Sequence, residues 1–273
     1  MRKMATVLVL GGAVLYAQTD PVIEAARKAA TAYAQSLPDY VVRRTTSRAR
    51  SSRNNSVEQV STTRQTSDMH PVLAPSEAAS GWQMLDTITG TVTVDHGRET
   101  YSNLQVNGSP AKSLPPGGAW SSGEFSGEML MVLSPQSAAV FKSRHEEVLR
   151  SRPAIRYNFS VDRAHSAWDM STPNYPGFSP AYTGRIWIDK ETGQPVRIEM
   201  TAHGLPHGFP VSSVESQTDY NFVKIGDGTF LLPVHSETLS CEPGGTICLR
   251  NETDFSDFNK FETNSNITFG DKK

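Results

Sequence analysis

His203 and His207 stand four residues apart, the spacing that on a helix turns two imidazoles toward one metal ion. Their setting, HGLPHGFP, carries two glycines and two prolines, so it is a loop, and no nearby carboxylate completes the helical H-E-x-x-H pattern. Surface or structural roles are expected for both. His145 beside Glu146 and Glu147 reads as a solvated charge cluster. GEFSG, from Gly123 to Gly127, places its serine one position late for the G-x-S-x-G nucleophile elbow. The elbow also needs a parallel α/β sheet, and the strand pattern argues against one. The chain has no GxxxxGKS/T loop, no dinucleotide-binding glycine fingerprint and no cysteine to spare for catalysis. Carboxylate pairs for glycoside cleavage are spatial, and a linear sequence does not expose them. The expectation is a protein that is not an enzyme, with no cofactor and no metal.

Cys241 and Cys248 flank EPGGTI, where Pro243, Gly244 and Gly245 are turn formers. A zinc site would want more cysteine or histidine nearby, so a disulfide is expected, worth about 2.5 kcal/mol in the chain-entropy model. Export fits the amino terminus. Arg2 and Lys3 precede an apolar run from Ala5 to Tyr16 and the small Ala17, the layout of a secretory signal peptide over residues 1–17. About 12 apolar residues fall short of the roughly 20 that cross a bilayer as a helix, and Gln18 is not a lipidated cysteine. A soluble periplasmic or secreted chain, monomeric and without transmembrane insertion, is therefore expected over residues 18–273.

Without Arg2 and Lys3 the 26 basic residues become 24 against 28 acidic, a net charge of 24 − 28 = −4, which argues against a nucleic-acid partner. Arg43, Arg44, Arg48, Arg50, Arg53 and Arg64 cluster with only Glu58 among them. They read as a solvated strand face balanced by acidic strands, with anion binding as the other reading.

The elements that must position any site are mostly strands. Asp20 and Pro21 cap a helix whose Ile23, Ala26, Ala30, Tyr33 and Leu37 share one face, and Pro38 stops it. Asp39 to Arg50 reads as a strand, and the polar stretch 51–80 as a mobile loop with room for one edge strand. Trp82 to Val94 and ETYSNLQVNG form a hairpin about His96 and Gly97. A short apolar helix follows with Phe125, Met129, Leu130, Val132 and Leu133, and Ser134 and Pro135 restart a helix through Phe141. From Ala154 onward the pattern is nearly all antiparallel strand. Its clearest part is the hairpin from Ala181 to Ala202. Ile186, Ile188, Val196, Ile198 and Met200 alternate with polar residues, and a three-residue loop, Glu191 to Gly193, keeps both apolar sets on one face. Phe255, Phe258 and Phe261 recur every third residue, which in a strand implies a bend or bulge. The fold class is α+β, one domain with a curved antiparallel sheet, an incomplete barrel, covered by an N-terminal helix and short mid-chain helices.

GRIWIDKETGQPVRIEM, TDYNFVKIGDGTFLLPVHSETL and DFSDFNKFETNSNITF, with LPDYVVRRTTSR and WSSGEFSGEMLMVLSP, resemble as a set exported bacterial proteins related to the outer-membrane lipoprotein-sorting carriers, with a LolA/LolB-like fold. The resemblance implies an incomplete barrel whose apolar concave side, lidded by helices, receives an acyl chain. The candidate ligand contacts are then Ile186, Ile188, Val196, Ile198 and Met200 with Tyr33, Leu37 and Leu130, and the expected partner is a lipid or lipoprotein. An envelope scaffold that holds a protein through sheet edges and the arginine-rich strand is the alternative.

Overall fold

The computed structural model describes residues 20–52, 81–117, 119–120, 124–125, 127–172, 175–245 and 247–260. The leader expected at residues 1–17 and residues 53–80 of the polar stretch lie outside them. Ser51 and Ser52, which we expected in that loop, instead finish the first strand.

Helix α1 (Pro21–Ser36) begins as its cap chemistry dictates. The Asp20 carboxylate accepts a hydrogen bond from the Val22 amide at 2.9 Å, and proline occupies the first turn, where its missing N–H costs nothing. Ile23, Ala26, Ala30 and Tyr33, three or four apart, are buried as one stripe. Four strands follow: β1 (Tyr40–Ser52), β2 (Trp82–Asp95), β3 (Arg98–Val106) and β4 (Ser109–Pro110). Helix α2 (Gly127–Leu133) comes next, with Phe125 just ahead of it and not in it. The remainder is β5 (Val140–Leu149), β6 (Arg152–Val161), β7 (Met170–Thr172), β8 (Tyr175–Phe178), β9 (Ala181–Asp189), β10 (Pro195–His203), β11 (Ser213–Ile225), β12 (Gly228–Cys241) and β13 (Ile247–Lys260).

Eleven of these strands form one antiparallel sheet in the order β4-β3-β2-β1-β13-β12-β11-β10-β9-β6-β5; β7 and β8 pair by themselves. The sheet is open, with β4 and β5 at its edges. The earlier half of the chain therefore supplies more than a cover for the later half, because β1 pairs with β13 and carries the sheet on through β2 and β3.

The second mid-chain helix expected through Phe141 is a single 3-10 turn, Pro135–Ser137. The Ser134 side chain makes no cap hydrogen bond, Ala138 turns left-handed at φ 46°, and the chain enters β5, which gains a full partner in β6. His145, Glu146 and Glu147 thus lie on a strand that no turn signal announced. Its hairpin with β6 turns on Arg150 and Ser151, both at positive φ, where glycine or asparagine is usual.

The β9–β10 hairpin keeps its apolar residues on one face by a different route from the one expected. Asp189 pairs with Gln194 across a four-residue loop, and a bulge at Val196 restores the phase, so that Ile186 opposes Ile198. The buried Asp189 carboxylate holds the turn, accepting from the Glu191 and Thr192 amides and the Thr192 hydroxyl, while Gly193 sits at φ 70°. In β13 the expected bulge is present. Asp257 adopts φ 55°, and the register slips opposite Val41 and Arg43, bringing Phe258 round to Tyr40 on the side where Phe255 meets Phe125. Phe261 lies outside the described residues.

One large core joins α1, α2 and one side of the sheet, and a small second cluster gathers Leu239, Cys241 and Cys248 with Trp82 packed against it. Cys241 and Cys248 form the expected disulfide. No helix among the described residues is long and apolar enough to cross a membrane.

Candidate functional site

The side of the sheet that faces α1 and α2 divides into an oily part and a polar part. Ile186, Ile188, Val196, Ile198 and Met200 from β9 and β10 join Tyr33 of α1 in the large core, all buried, with Leu37 packed partly buried against them. Leu130 is not brought to this set. Helix α2 buries Glu128, Met129, Val132 and Leu133, and the 100° step of a helix turns Leu130 away from that stripe, where it is half-buried.

Across β10 to β1 the same side changes character along two adjacent rungs of the ladder. One runs Ile198, Thr218, Ser236, Thr253, Thr46; the next runs Met200, Ser216, Thr238, Asn251, Arg48. Period-two strands hold these side chains on one face, so each rung starts as hydrocarbon and ends as hydroxyl, amide or guanidinium.

Helix α2 sets a carboxylate against the start of this polar floor. Glu128, 6% exposed, accepts from the Ser216 hydroxyl at 3.4 Å and from the Tyr220 hydroxyl at 3.2 Å, and Tyr220 also reaches the Glu124 carbonyl at 3.2 Å. Burial pushes the Glu128 carboxyl up to about 7, with the Glu124 charge adding to the rise and bonds from Thr218, Tyr220 and Ser216 opposing it. Glu124, also buried, pairs with Arg44 at 3.6 Å, and the Arg44 guanidinium lies 5.8 Å from the Tyr101 ring. Tyr33 donates to the Phe125 carbonyl at 2.7 Å and Tyr182 to the Met131 carbonyl at 2.7 Å, which fixes the entry and body of α2 over the sheet.

At the far end Arg48 donates to both Asp86 oxygens at 2.7 Å and to the carbonyls of Pro116 and Gly117, with its guanidinium 5.2 Å from the Trp120 ring. Asn251 donates its amide to the Ala119 carbonyl at 2.7 Å, and the Ala119 amide donates to Ser240. A strap of chain before α2 is thereby tied to β1, β12 and β13. The Oδ1 atom of Asn251 and the hydroxyl of Tyr40, both buried, meet no hydrogen-bond partner among the described residues.

Arg44 and Arg48 are thus not part of a solvated strand face. They point inward on alternate positions of β1 and are neutralised by Glu124 and Asp86, whereas Arg43 stays outside against Asp257. Glu124, Glu128 and the hydroxyl rungs were not singled out from sequence. Their signal lies in Ser236, Thr238 and Ser240 alternating through HSETLS, in Asn251 and Thr253 of RNETDF, in Thr46 between Arg44 and Arg48, and in the lone glutamate of EMLMVL.

The other sequence candidates stand apart from this site. His203 ends β10 with its ring against the Thr183 hydroxyl, and His207 is exposed in the following turn. On β5, Glu146 pairs with Lys190, and Glu147 takes the Arg156 and Trp187 donors. The one grouping of three metal-type ligands among the described residues is half-buried Asp39, just before β1, with exposed Asp95 and His96 at the β2–β3 turn. No protein-family model matches the chain, and no curated protein matches it.

Proposed function

We propose that the protein is exported to the periplasm or beyond, where as a monomer without enzymatic activity it binds and carries an amphiphile, a lipid or the acyl chain of a lipoprotein, between its helices and a curved sheet. The observation that carries this reading is the division of the helix-facing side into an oily part and a hydroxyl-and-carboxylate part that meet under α2. A molecule with a tail and a head has the same division. The disulfide supports an oxidising compartment, and the resemblance to lipoprotein-sorting carriers points the same way.

The oily residues are buried against Met129, Val132 and Leu133, so in this closed form those side chains fill the space a tail would take. Uncovering three such side chains costs about 5 to 9 kcal/mol, and a tail of about ten methylenes gains about 8 kcal/mol on burial, so exchange of helix for tail lies near balance. A carrier must release what it binds, and near balance is the regime that permits it.

The test is native mass spectrometry of the exported protein after mild purification, paired with titration by a fluorescent long-chain fatty acid. We expect one amphiphile per chain and saturable binding. Repeated absence of both overturns the reading. A scaffold role is the second reading, favoured by the exposed Val140 and Val148 on the edge strand β5, and it would show as a co-purifying protein in place of a lipid.

A further inference from the structure

We propose that Glu128 is the latch of α2: uncharged, it holds the helix shut over the oily part of the sheet, and ionised, it releases the helix so that the tail enters. This rests on the amphiphile reading and names how its site is regulated.

Helix α2 has only 7 residues, too few to persist by its own hydrogen bonds, so its contacts hold it in place. Met129, Val132 and Leu133 are buried in the core, Tyr33 and Tyr182 hold the carbonyls of Phe125 and Met131, and the Glu128 carboxyl reaches Ser216 and Tyr220 of β11. Of these holds only the last can change its charge. The groups around it supply no cation to match. Arg44 of β1 is committed to Glu124 at 3.6 Å and Arg48 to Asp86, while the Glu124 charge works against a second anion. Arg27 of α1 turns to Glu24 and the Phe141 ring. Arg197 and Glu199 of β10 alternate with inward Ile198 and Met200, so they lie on the far side of the sheet, paired with Asp219 and Arg185. Burial keeps the hydroxyls of Tyr33, Tyr182 and Tyr220 protonated, so they bring donors and no charge. An ionised Glu128 under the closed helix is therefore a buried anion with no cation beside it among the described residues, a state that opening relieves.

The direction of the switch follows. The carboxyl titrates near 7 under the closed helix and at its ordinary 4.5 once the helix lifts into water. Below 4.5 both forms carry the proton and the latch is fully shut. As pH rises from 4.5 to 7 the open form loses its proton first, so its share grows, to a ceiling of about 300-fold, and it levels off above 7. The tail binds the open form alone, so apparent affinity follows that share. Neutral pH loads the carrier, and acid closes the helix and expels the tail. Because Tyr33, Met129 and the β9–β10 strands belong to one core that does not depend on this carboxyl, the opening is local to α2.

The experiment uses dodecyl maltoside, which does not titrate, below its micelle concentration on the full exported chain at about pH 5 and about pH 7.5, with hydrogen exchange read by mass spectrometry and corrected for the intrinsic rate. We expect binding at least about tenfold tighter at the higher pH, with the amides of α2 losing protection there while those of β9 and β10 keep theirs. In Glu128→Gln, which cannot ionise, binding is expected to stay at the weak acid value at both pH values with α2 protected throughout, and protection of β9 and β10 reports that the variant is folded. Equal affinity at the two pH values, a pH ratio retained in Glu128→Gln, or exchange in wild type that is unchanged in α2 or shared by the whole sheet overturns the latch and leaves the amphiphile reading standing. Loss of α2 protection with no binding at either pH does the reverse, keeping the latch and removing the amphiphile.

Discussion

Glu128 is held by three hydroxyl-bearing side chains in a place that water scarcely reaches, and this sets a pH dependence that can be measured. Its carboxyl titrates near 7 in the folded chain against 4.5 when unfolded. Between those values the folded state keeps a proton that the unfolded state has lost, so stability is full below pH 4.5 and falls as pH rises to 7, by on the order of 3 kcal/mol. Glu128→Gln should flatten that stretch of the curve, as followed by urea denaturation across pH. For His235 burial alone would lower the pKa, but the bond to Asp254 and the charges of Asp219 and Glu237 outweigh it and raise it. Its contribution is complete below 6.5 and declines above, so the window from 4.5 to 6.5 isolates Glu128. A wild-type curve that is already flat there would contradict the burial argument. The alternating polar residues on β1, β12 and β13 were present in the sequence, but which rung lies beside which depends on register between strands some 200 residues apart, and no local pattern carries that.

At the scale of elements, Gly184 shows how tightly β9 and β10 approach. A Cβ there would lie 1.9 Å from the Glu199 carbonyl oxygen and 2.6 Å from the Phe159 ring, and the backbone side of that clash cannot swing away. Gly184→Ala should cost about 3 kcal/mol or more in chemical denaturation, against a few tenths for Gly127→Ala, where an added Cβ meets nothing within 4 Å and the backbone is not left-handed. The Cys241–Cys248 clip closes the β12–β13 turn, and replacing both with serine should cost about 2.5 kcal/mol while leaving the strand pairing intact by circular dichroism. Helix α1 and the β9–β10 and β11–β12 hairpins were legible because cap and period agree, although the four-residue loop and the bulge at Val196 of β9–β10 were not. Strand β5 was not, since its turn residues Arg150 and Ser151 carry no turn signature, and the helix expected after Ser134 gave way to the ladder with β6.

For the whole molecule, the pairing of β1 with β13 joins the two ends of the described chain into one sheet, and α1 and α2 share their core with strands from both halves. Unfolding should therefore be a single transition, with tryptophan fluorescence and far-ultraviolet circular dichroism superimposing; two separated midpoints would mean two independent cores. The sequence alone determined the antiparallel class, the disulfide and the inward face of each clear strand, because hydrophobic period, cysteine spacing and turn chemistry are local quantities. Only the tertiary structure decided that the sheet is open, that β1 through β4 extend it beyond β13, and that Arg44 and Arg48 turn inward to meet carboxylates. Those outcomes depend on which distant strands pair and on where buried charges find partners, and both are settled by the whole packed molecule at once.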